Sequence, residues 1–168
     1  MAIPPDEETM RLAEKAADTL GNGNVSDTSV GCLRKPTRAQ ALDAVYKDAE
    51  RLGVKVITDA DPEIKAYMDN AAKREGIPPE DMHAITLGDT IVIRQQHADN
   101  VRVLREELIH TQQQAEGFAV GPDRDTITEM ELDARRQLLE NKKKWALTDE
   151  EAAEVEREIA AIKQRGRY

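Results

Sequence analysis

The segment VRVLREELIHTQQQ, residues 101–114, decides the fold, because it has the pattern of one amphipathic helix around which the other predicted elements are arranged. At about 100° per residue, its apolar side chains fall on one side, which is the core face of the helix: Val101, Leu104, Leu108 and Ala115. His110 lies nearly opposite that face, with Glu106 and Glu107 on either side of it. We therefore expect these three polar side chains to point to water or into a cleft, away from the main apolar core.

Two residues of this helix form a candidate metal site. Glu106 and His110 are four residues apart, so their side chains are neighbours on the helix surface and can bind one metal ion together. Glu107 would then act as the general base that activates the attacking water. The segment differs by one residue from the H-E-x-x-H motif of zinc peptidases, because Glu106 occupies the position of the first histidine. A catalytic zinc site usually has three protein ligands, so one more is required.

Glu131 is the candidate third ligand. It interrupts an apolar stripe on a later predicted helix, and the stripe consists of Ile127, Ala134, Leu138 and Trp145. A carboxylate on a core-facing stripe needs a partner, because an unpaired buried charge is very unfavourable. A metal ion held by Glu106 and His110 would be such a partner.

Ordinary salt bridges are the alternative to a metal site. Arg102 is four residues before Glu106, and Arg135 is four residues after Glu131, so both glutamates have a possible partner on their own helix. His110 would then be an exposed helix histidine. Spacing alone favours this alternative, since a five-residue motif with one substituted ligand is a weak signal.

The remaining sequence predicts a mostly helical α+β fold, with a small antiparallel sheet or hairpin packed on the motif helix. Helices are predicted at residues 37–52, 61–76, 126–144 and from residue 148, and strands at residues 54–58, 84–87 and 90–94. Thr37 with Gln40 and Thr148 with Glu151 are capping boxes that mark two of the helix starts. Gly88-Asp89 is a two-residue hairpin turn between the last two strands. We expect the strand at residues 90–93 to line the cleft, where its edge can align an extended peptide.

The N-terminal part of the chain is predicted to be separable. Residues 6–20 have the pattern of a helix, and the Gly-, Asn- and Ser-rich segment GNGNVSDTSVG, residues 21–31, predicts a flexible connector. We therefore divide the chain into an N-terminal helix with a linker, residues 1–31, and one domain, residues 32–168.

Composition limits the functional classes. A net charge of -9 argues against general nucleic-acid binding, which needs a basic surface. Cys32 is the single cysteine, so neither an internal disulfide nor a cysteine zinc cluster is possible. No apolar run reaches the roughly 20 residues that span a bilayer, and residues 1–10 lack the apolar core of a signal peptide. We therefore expect no membrane span and no export signal in this segment, and a cytoplasmic location in the producing cell when the segment is expressed alone.

Two segments resemble a known class of domain. Residues 83–114 resemble the core of a zincin-like metallopeptidase domain, in which short strands (AITLGDTIVIR) lead to a helix with a HELIH-like motif (EELIHTQQQ), and ELDA at residues 131–134 matches the downstream Glu-x-x-Ala. More widely, residues 41–168 resemble C-terminal toxin domains of bacterial polymorphic toxins. The shared features are RLGVKV, the LREELIH helix, the EMELDARRQLLENKKKWALT helix and a basic GRY end.

The resemblance implies a metal-dependent hydrolase, specifically a peptidase that acts as a bacterial toxin or effector domain. Such domains are secreted or delivered into a target cell at the end of a larger protein, and their partners are a protein or peptide substrate and a cognate immunity protein. By motif position, His110 and Glu131 would be metal ligands and Glu107 the general base.

Glu106 is the departure from the motif. A carboxylate can bind Zn²⁺, but two carboxylates cancel the charge of the ion, so the centre acidifies its water less. The same change favours a harder metal such as Mn²⁺. The alternative function is therefore a catalytically degenerate zincin-like domain that acts as a protein-binding module.

Overall fold

A computed structural model of the chain describes residues 35–117 and 124–166. The predicted helix at residues 6–20 and the connector at residues 21–31 lie outside the described residues, so the proposed division of the chain at residue 31 stays a prediction. The described elements, in chain order, are α1 (Arg38–Arg51), β1 (Lys55–Thr58), α2 (Pro62–Glu75), β2 (Ala84–Leu87), β3 (Thr90–Ile93), a 3₁₀ turn (Gln95–His97), α3 (Val101–Ala115), α4 (Arg124–Glu140) and α5 (Asp149–Arg165). The predicted mostly helical α+β fold is confirmed.

Local capping signals explain where most helices begin. Thr37 and Thr148 each accept a hydrogen bond from the backbone three residues on, and both predicted capping boxes are present. Asp61 caps α2 ahead of Pro62, and Asn100 accepts a hydrogen bond from the backbone of Val103 at the start of α3. These signals depend only on neighbouring residues, which is why the sequence is sufficient to predict them.

The helix predicted at residues 126–144 is shorter than expected. α4 ends at Glu140, and the chain then turns, with Ala146 in a left-handed conformation (φ 52°). The prediction to residue 144 was wrong because Trp145 and Leu147 are buried in the same cluster as Leu138, and a continued helix would not return both side chains to the core.

The sheet is mixed, with the strand order β1-β3-β2. β2 and β3 form the predicted antiparallel hairpin, and β1 pairs with β3 in parallel because α2 carries the chain across between them. β3 is therefore the central strand, and the expectation that its edge aligns a peptide was wrong. β2 is an outer strand, but its residues Ile85 and Thr86 are fully buried.

α3 is the central helix of the domain. It contacts β2, β3 and α1 on one side and α4 on another, while α5 packs on α4. Every residue from Val101 to Thr111 is buried, including its arginines and glutamates. In the described part of the chain, no helix is both long enough and apolar enough to cross a bilayer. The motif helix is thus enclosed, and its polar face lies inside the protein.

Candidate metal centre

The predicted site residues lie in the interior. His110 is 0% exposed, Glu131 1%, Glu107 4% and Glu106 8%. The expectation that the polar face of α3 points to water or into a cleft was therefore wrong. That expectation considered α3 alone, whereas α4 brings Glu131 against His110 and α5 brings Glu158 against Arg102.

Glu106, His110 and Glu131, here called the triad, come together as predicted. One ligand atom from each lies within 4.8 Å of the other two. His110 Nε2 is 3.6 Å from Glu131 Oε1, which is too long for a hydrogen bond. Two ligands of one tetrahedral zinc ion are roughly 3.3–3.5 Å apart, because each lies about 2.0–2.2 Å from the metal. The triad therefore forms a buried cluster that can hold a metal ion.

The ring of His110 is fixed by Gln113. His110 Nδ1 is 2.9 Å from Gln113 Oε1, while Gln113 Nε2 donates to the Met130 carbonyl at 3.1 Å and to Asp133 Oδ2 at 2.9 Å. Both of these latter partners are acceptors, so the amide orientation is determined and Oε1 must face the histidine. Nδ1 is therefore the donor, and Nε2 faces Glu131: it carries a lone pair when the ring is neutral and a second proton when the ring is charged.

Nε2 is an unsatisfied atom. Although His110 is completely buried, Nε2 has no hydrogen-bond partner among the described residues. Buried polar atoms without a partner are rare, and each requires an explanation. A metal-ligating histidine usually donates its other ring N–H to a protein acceptor, which is the role of Gln113 here. The unsatisfied nitrogen and the adjacent carboxylates are a donor set that fits a divalent cation.

Salt bridges from the alternative interpretation are present as well. Arg135 Nη1 lies 2.5 Å from Glu131 Oε2, and Arg135 Nη2 lies 3.3 Å from Glu106 Oε1. Arg102 Nη2 is 3.6 Å from Glu106 Oε2. The two interpretations are compatible at Glu131, where the arginine contacts Oε2 while Oε1 faces His110. At Glu106 both carboxylate oxygens contact arginines, so a metal ion would compete with them there.

Glu158 on α5 joins the two arginines, and the sequence analysis missed it. Arg102 Nη2 lies 2.6 Å from both carboxylate oxygens, and Arg135 Nε lies 2.8 Å from Oε2. A signal was available: Glu158 is three residues after Val155 and four before Ile162, so it lies on the buried face of the helix. Gln113 and Asp133 were also missed, because nothing in local spacing distinguishes them from surface residues.

Charged side chains from three helices surround His110. In the described part of the chain they include the carboxylates of Glu106, Glu107, Glu131 and Glu158 and the guanidinium groups of Arg102 and Arg135. Burial disfavours a charged ring, but the Glu131 carboxylate outweighs burial and raises the pKa of His110. Burial likewise opposes ionisation of Glu131, but His110 and Arg135 hold the pKa of that carboxyl well below its usual range.

Glu107 contacts a different element from the triad. Its Oε2 accepts a hydrogen bond of 2.7 Å from the Thr86 hydroxyl on β2. The same hydroxyl is 3.0 Å from the Glu107 carbonyl, but it has a single proton, and the charged carboxylate is the stronger acceptor. β2 therefore sets the orientation of Glu107, whereas α4 completes the triad.

Comparison of the chain with protein-family models, with curated proteins and with solved structures gave no match. The role of the triad therefore follows from its own geometry and chemistry.

Proposed function

We propose that the chain is a divalent-metal-dependent hydrolase of the zincin-like type, and specifically a peptidase. Glu106, His110 and Glu131 would hold the metal, and Glu107 would be the general base. The observation that carries this proposal is the Nε2 atom of His110, which is buried, lacks a hydrogen-bond partner among the described residues, and faces a carboxylate of the next helix.

Zn²⁺ is the proposed metal, with Mn²⁺ as its competitor. One imidazole nitrogen and two carboxylates are a ligand set that both ions accept, and the two oxygens favour the harder ion more than a two-histidine set would. When bound, the metal supplies a Lewis acid that polarises a scissile carbonyl and acidifies water.

Glu107 suits the role of a base that is held in place. Thr86 donates to one carboxylate oxygen and so restricts its rotation. A carboxylate oxygen is also the kind of acceptor that a general base needs for the proton of an attacking water. The proton then leaves with the amine of the cleaved peptide, as general acid–base catalysis requires.

A second candidate function is a catalytically degenerate domain that binds metal for stability and acts through a protein interface. Burial of the triad favours this candidate, because none of its members is more than 8% exposed. A peptide can reach His110 only if the surrounding structure moves, because this ring is completely buried. In this second case the metal raises stability and no substrate is cleaved.

Peptide hydrolysis distinguishes the two functions. The protein is loaded with Zn²⁺ or Mn²⁺ and assayed against a mixed peptide library by mass spectrometry, beside Glu107→Gln. Loss of a general base lowers the rate by about 10²–10⁴-fold, while metal content should be unchanged. Glu156→Gln on the exposed face of α5 is the control, and it should retain the parental rate. Equal cleavage by Glu107→Gln and the parent would remove Glu107 as the base, and no cleavage by any variant would favour the second function.

We also propose that the domain acts as a toxin or effector delivered by a larger protein, with an immunity protein as its partner. This proposal is supported by the resemblance of residues 41–168 to polymorphic toxin domains. Inducible expression in a bacterium tests it: the parent should arrest growth, and Glu107→Gln should not. Equal growth of both strains would contradict a toxic hydrolase.

A further inference from the structure

Arg135 occupies a position that the metal-site interpretation leaves unexplained. Its guanidinium group contacts two of the three triad members, Glu131 at 2.5 Å and Glu106 at 3.3 Å. A cation at this position stabilises the two carboxylates when no metal is bound, and it repels a metal ion when one enters. A site built only to bind metal tightly would not place a fixed positive charge against two of its ligands.

Arg135 is held in this position from outside the triad. Glu158 on α5 accepts from Arg135 Nε at 2.8 Å and from Arg102 Nη2 at 2.6 Å. Arg102 in turn lies 3.6 Å from the second oxygen of Glu106. Both guanidinium groups are therefore shared between the triad and Glu158. Pairing with Glu158 weakens the attraction of these arginines to the ligand carboxylates.

The arginines offset the extra negative charge of glutamate at position 106. A glutamate there adds one negative charge compared with the histidine of the H-E-x-x-H motif. Arg135 and Arg102 contact both oxygens of Glu106, so the added charge is met by an added cation. The net charge of the groups around a bound metal is therefore closer to that of a site with two histidines and one carboxylate.

We infer that Arg135 is the internal counter-ion of the Glu106 site. In the metal-free protein its charge takes the place of the metal's charge, and it compensates for glutamate at position 106. Arg135 lowers the metal affinity of the site, and Glu158 reduces this effect by pairing with Arg135. This inference rests on the proposed metal site and concerns its regulation. It requires that Arg135 and the metal compete for the same two carboxylates, and that Glu158 weakens the competitor.

Two substitutions should change metal affinity in opposite directions. Arg135→Met removes the competing charge, so the affinity for Zn²⁺ should rise on the order of tenfold to a hundredfold. Glu158→Gln leaves both arginines to the triad carboxylates, so the affinity should fall several-fold. Isothermal titration with Zn²⁺ on chelator-treated protein measures both effects. Arg105→Met is the matched control, since Arg105 is also a buried arginine with a carboxylate partner, but it pairs with Asp48 and lies over Trp145.

Thermal unfolding provides a readout that is independent of affinity. Without metal, Arg135→Met leaves two buried carboxylates without this cation, and its Tm should fall by on the order of 10 °C. Zn²⁺ should restore most of that loss, and it should raise the Tm of Arg135→Met more than that of the parent. Arg105→Met should lose stability without any such recovery.

Glu106→His provides a direct test of compensation. With histidine at position 106, Arg135 is no longer balanced at that position, so adding Arg135→Met should raise the Zn²⁺ affinity by a larger factor in Glu106→His than in the parent. If the factor is no larger than in the parent, Arg135 does not compensate for Glu106.

The outcomes separate this inference from the metal site itself. If neither the parent nor any variant binds metal through His110, the metal site and the inference both fail. If the parent binds metal through His110, but Arg135→Met is no tighter and Glu158→Gln no weaker, the inference alone fails. If Arg135→Met does not fold even with Zn²⁺, Glu158→Gln decides alone, and an unchanged affinity in that variant overturns the inference.

Discussion

Replacement of Gln113 should weaken metal binding although this residue is not a ligand. Gln113→Met keeps the length of the side chain but removes the acceptor for His110 Nδ1 and the donor to the Met130 carbonyl and Asp133. Loss of an outer partner of a ligating histidine typically costs 10- to 100-fold in metal affinity, which is about 1.4–2.7 kcal/mol of binding free energy. The cause is that the ring is then free to rotate and to change its tautomer.

The same substitution should also destabilise the metal-free fold. One buried group, His110 Nδ1, loses its partner, and an unsatisfied buried group costs about 1–3 kcal/mol. The free energy of unfolding should therefore fall by roughly 1–3 kcal/mol in chemical denaturation. Gln112→Met is the control, because Gln112 is the exposed neighbour on the same helix.

The assay for binding is titration of chelator-treated protein with Zn²⁺, together with nitrogen NMR of the His110 ring. In the parent, the ring should carry its proton on Nδ1, and Zn²⁺ should perturb Nε2. An affinity of Gln113→Met within twofold of the parent, or a parental ring protonated on Nε2 alone, would refute the reasoning.

Three further outcomes are expected. Thr86→Val removes the hydrogen bond to Glu107, so hydrolysis should slow by about tenfold with metal affinity unchanged, whereas equal kcat would show that Thr86 does not position the base. Asp69→Asn should lower stability at pH 7. Arg94 holds the pKa of Asp69 below its usual value, so this stabilisation should be lost as pH falls through that lowered pKa, and a pH-independent difference in urea unfolding would contradict the pairing. Gly76→Ala should destabilise by about 1 kcal/mol, since Gly76 ends α2 at φ 70°, and an unchanged Tm would count against that strain.

Local structure could be predicted from sequence because its causes are local. The capping box at Thr37, the Asp61-Pro62 start of α2 and the Gly88-Asp89 turn each involve residues that are at most a few positions apart. The end of α4 could not be predicted in this way. It depends on where Trp145 meets the core, which is a property of the packed domain.

The triad could be predicted because its members carry a signal on their own helices. Glu106 and His110 have ligand spacing on α3, and Glu131 interrupts an apolar stripe on α4. The surroundings of the triad have no such signal. Glu158 meets Arg102 from 56 positions away, and helix periodicity contains no information about such a pairing.

The burial of the site was the main error of the sequence analysis, and it has a physical reason. The polar face of α3 was expected to be solvated because its charges cannot be buried singly. In the protein these charges are buried together, since Arg102 and Arg135 pair with carboxylates on three helices. A polar helix face therefore does not by itself identify a solvent-facing cleft.

Metal stoichiometry tests the central claim most directly. The chelator-treated protein is loaded with Zn²⁺ or Mn²⁺, desalted and analysed by mass spectrometry for metal per chain. His110→Ala is measured beside it, with His97→Ala as the control. His97 is a half-buried histidine outside the triad, and its ring packs against that of His83. We predict a single metal ion in the parent and in His97→Ala, and none in His110→Ala. Retention of the metal by His110→Ala, or its absence from the parent at saturating metal, would contradict a Glu106–His110–Glu131 metal site.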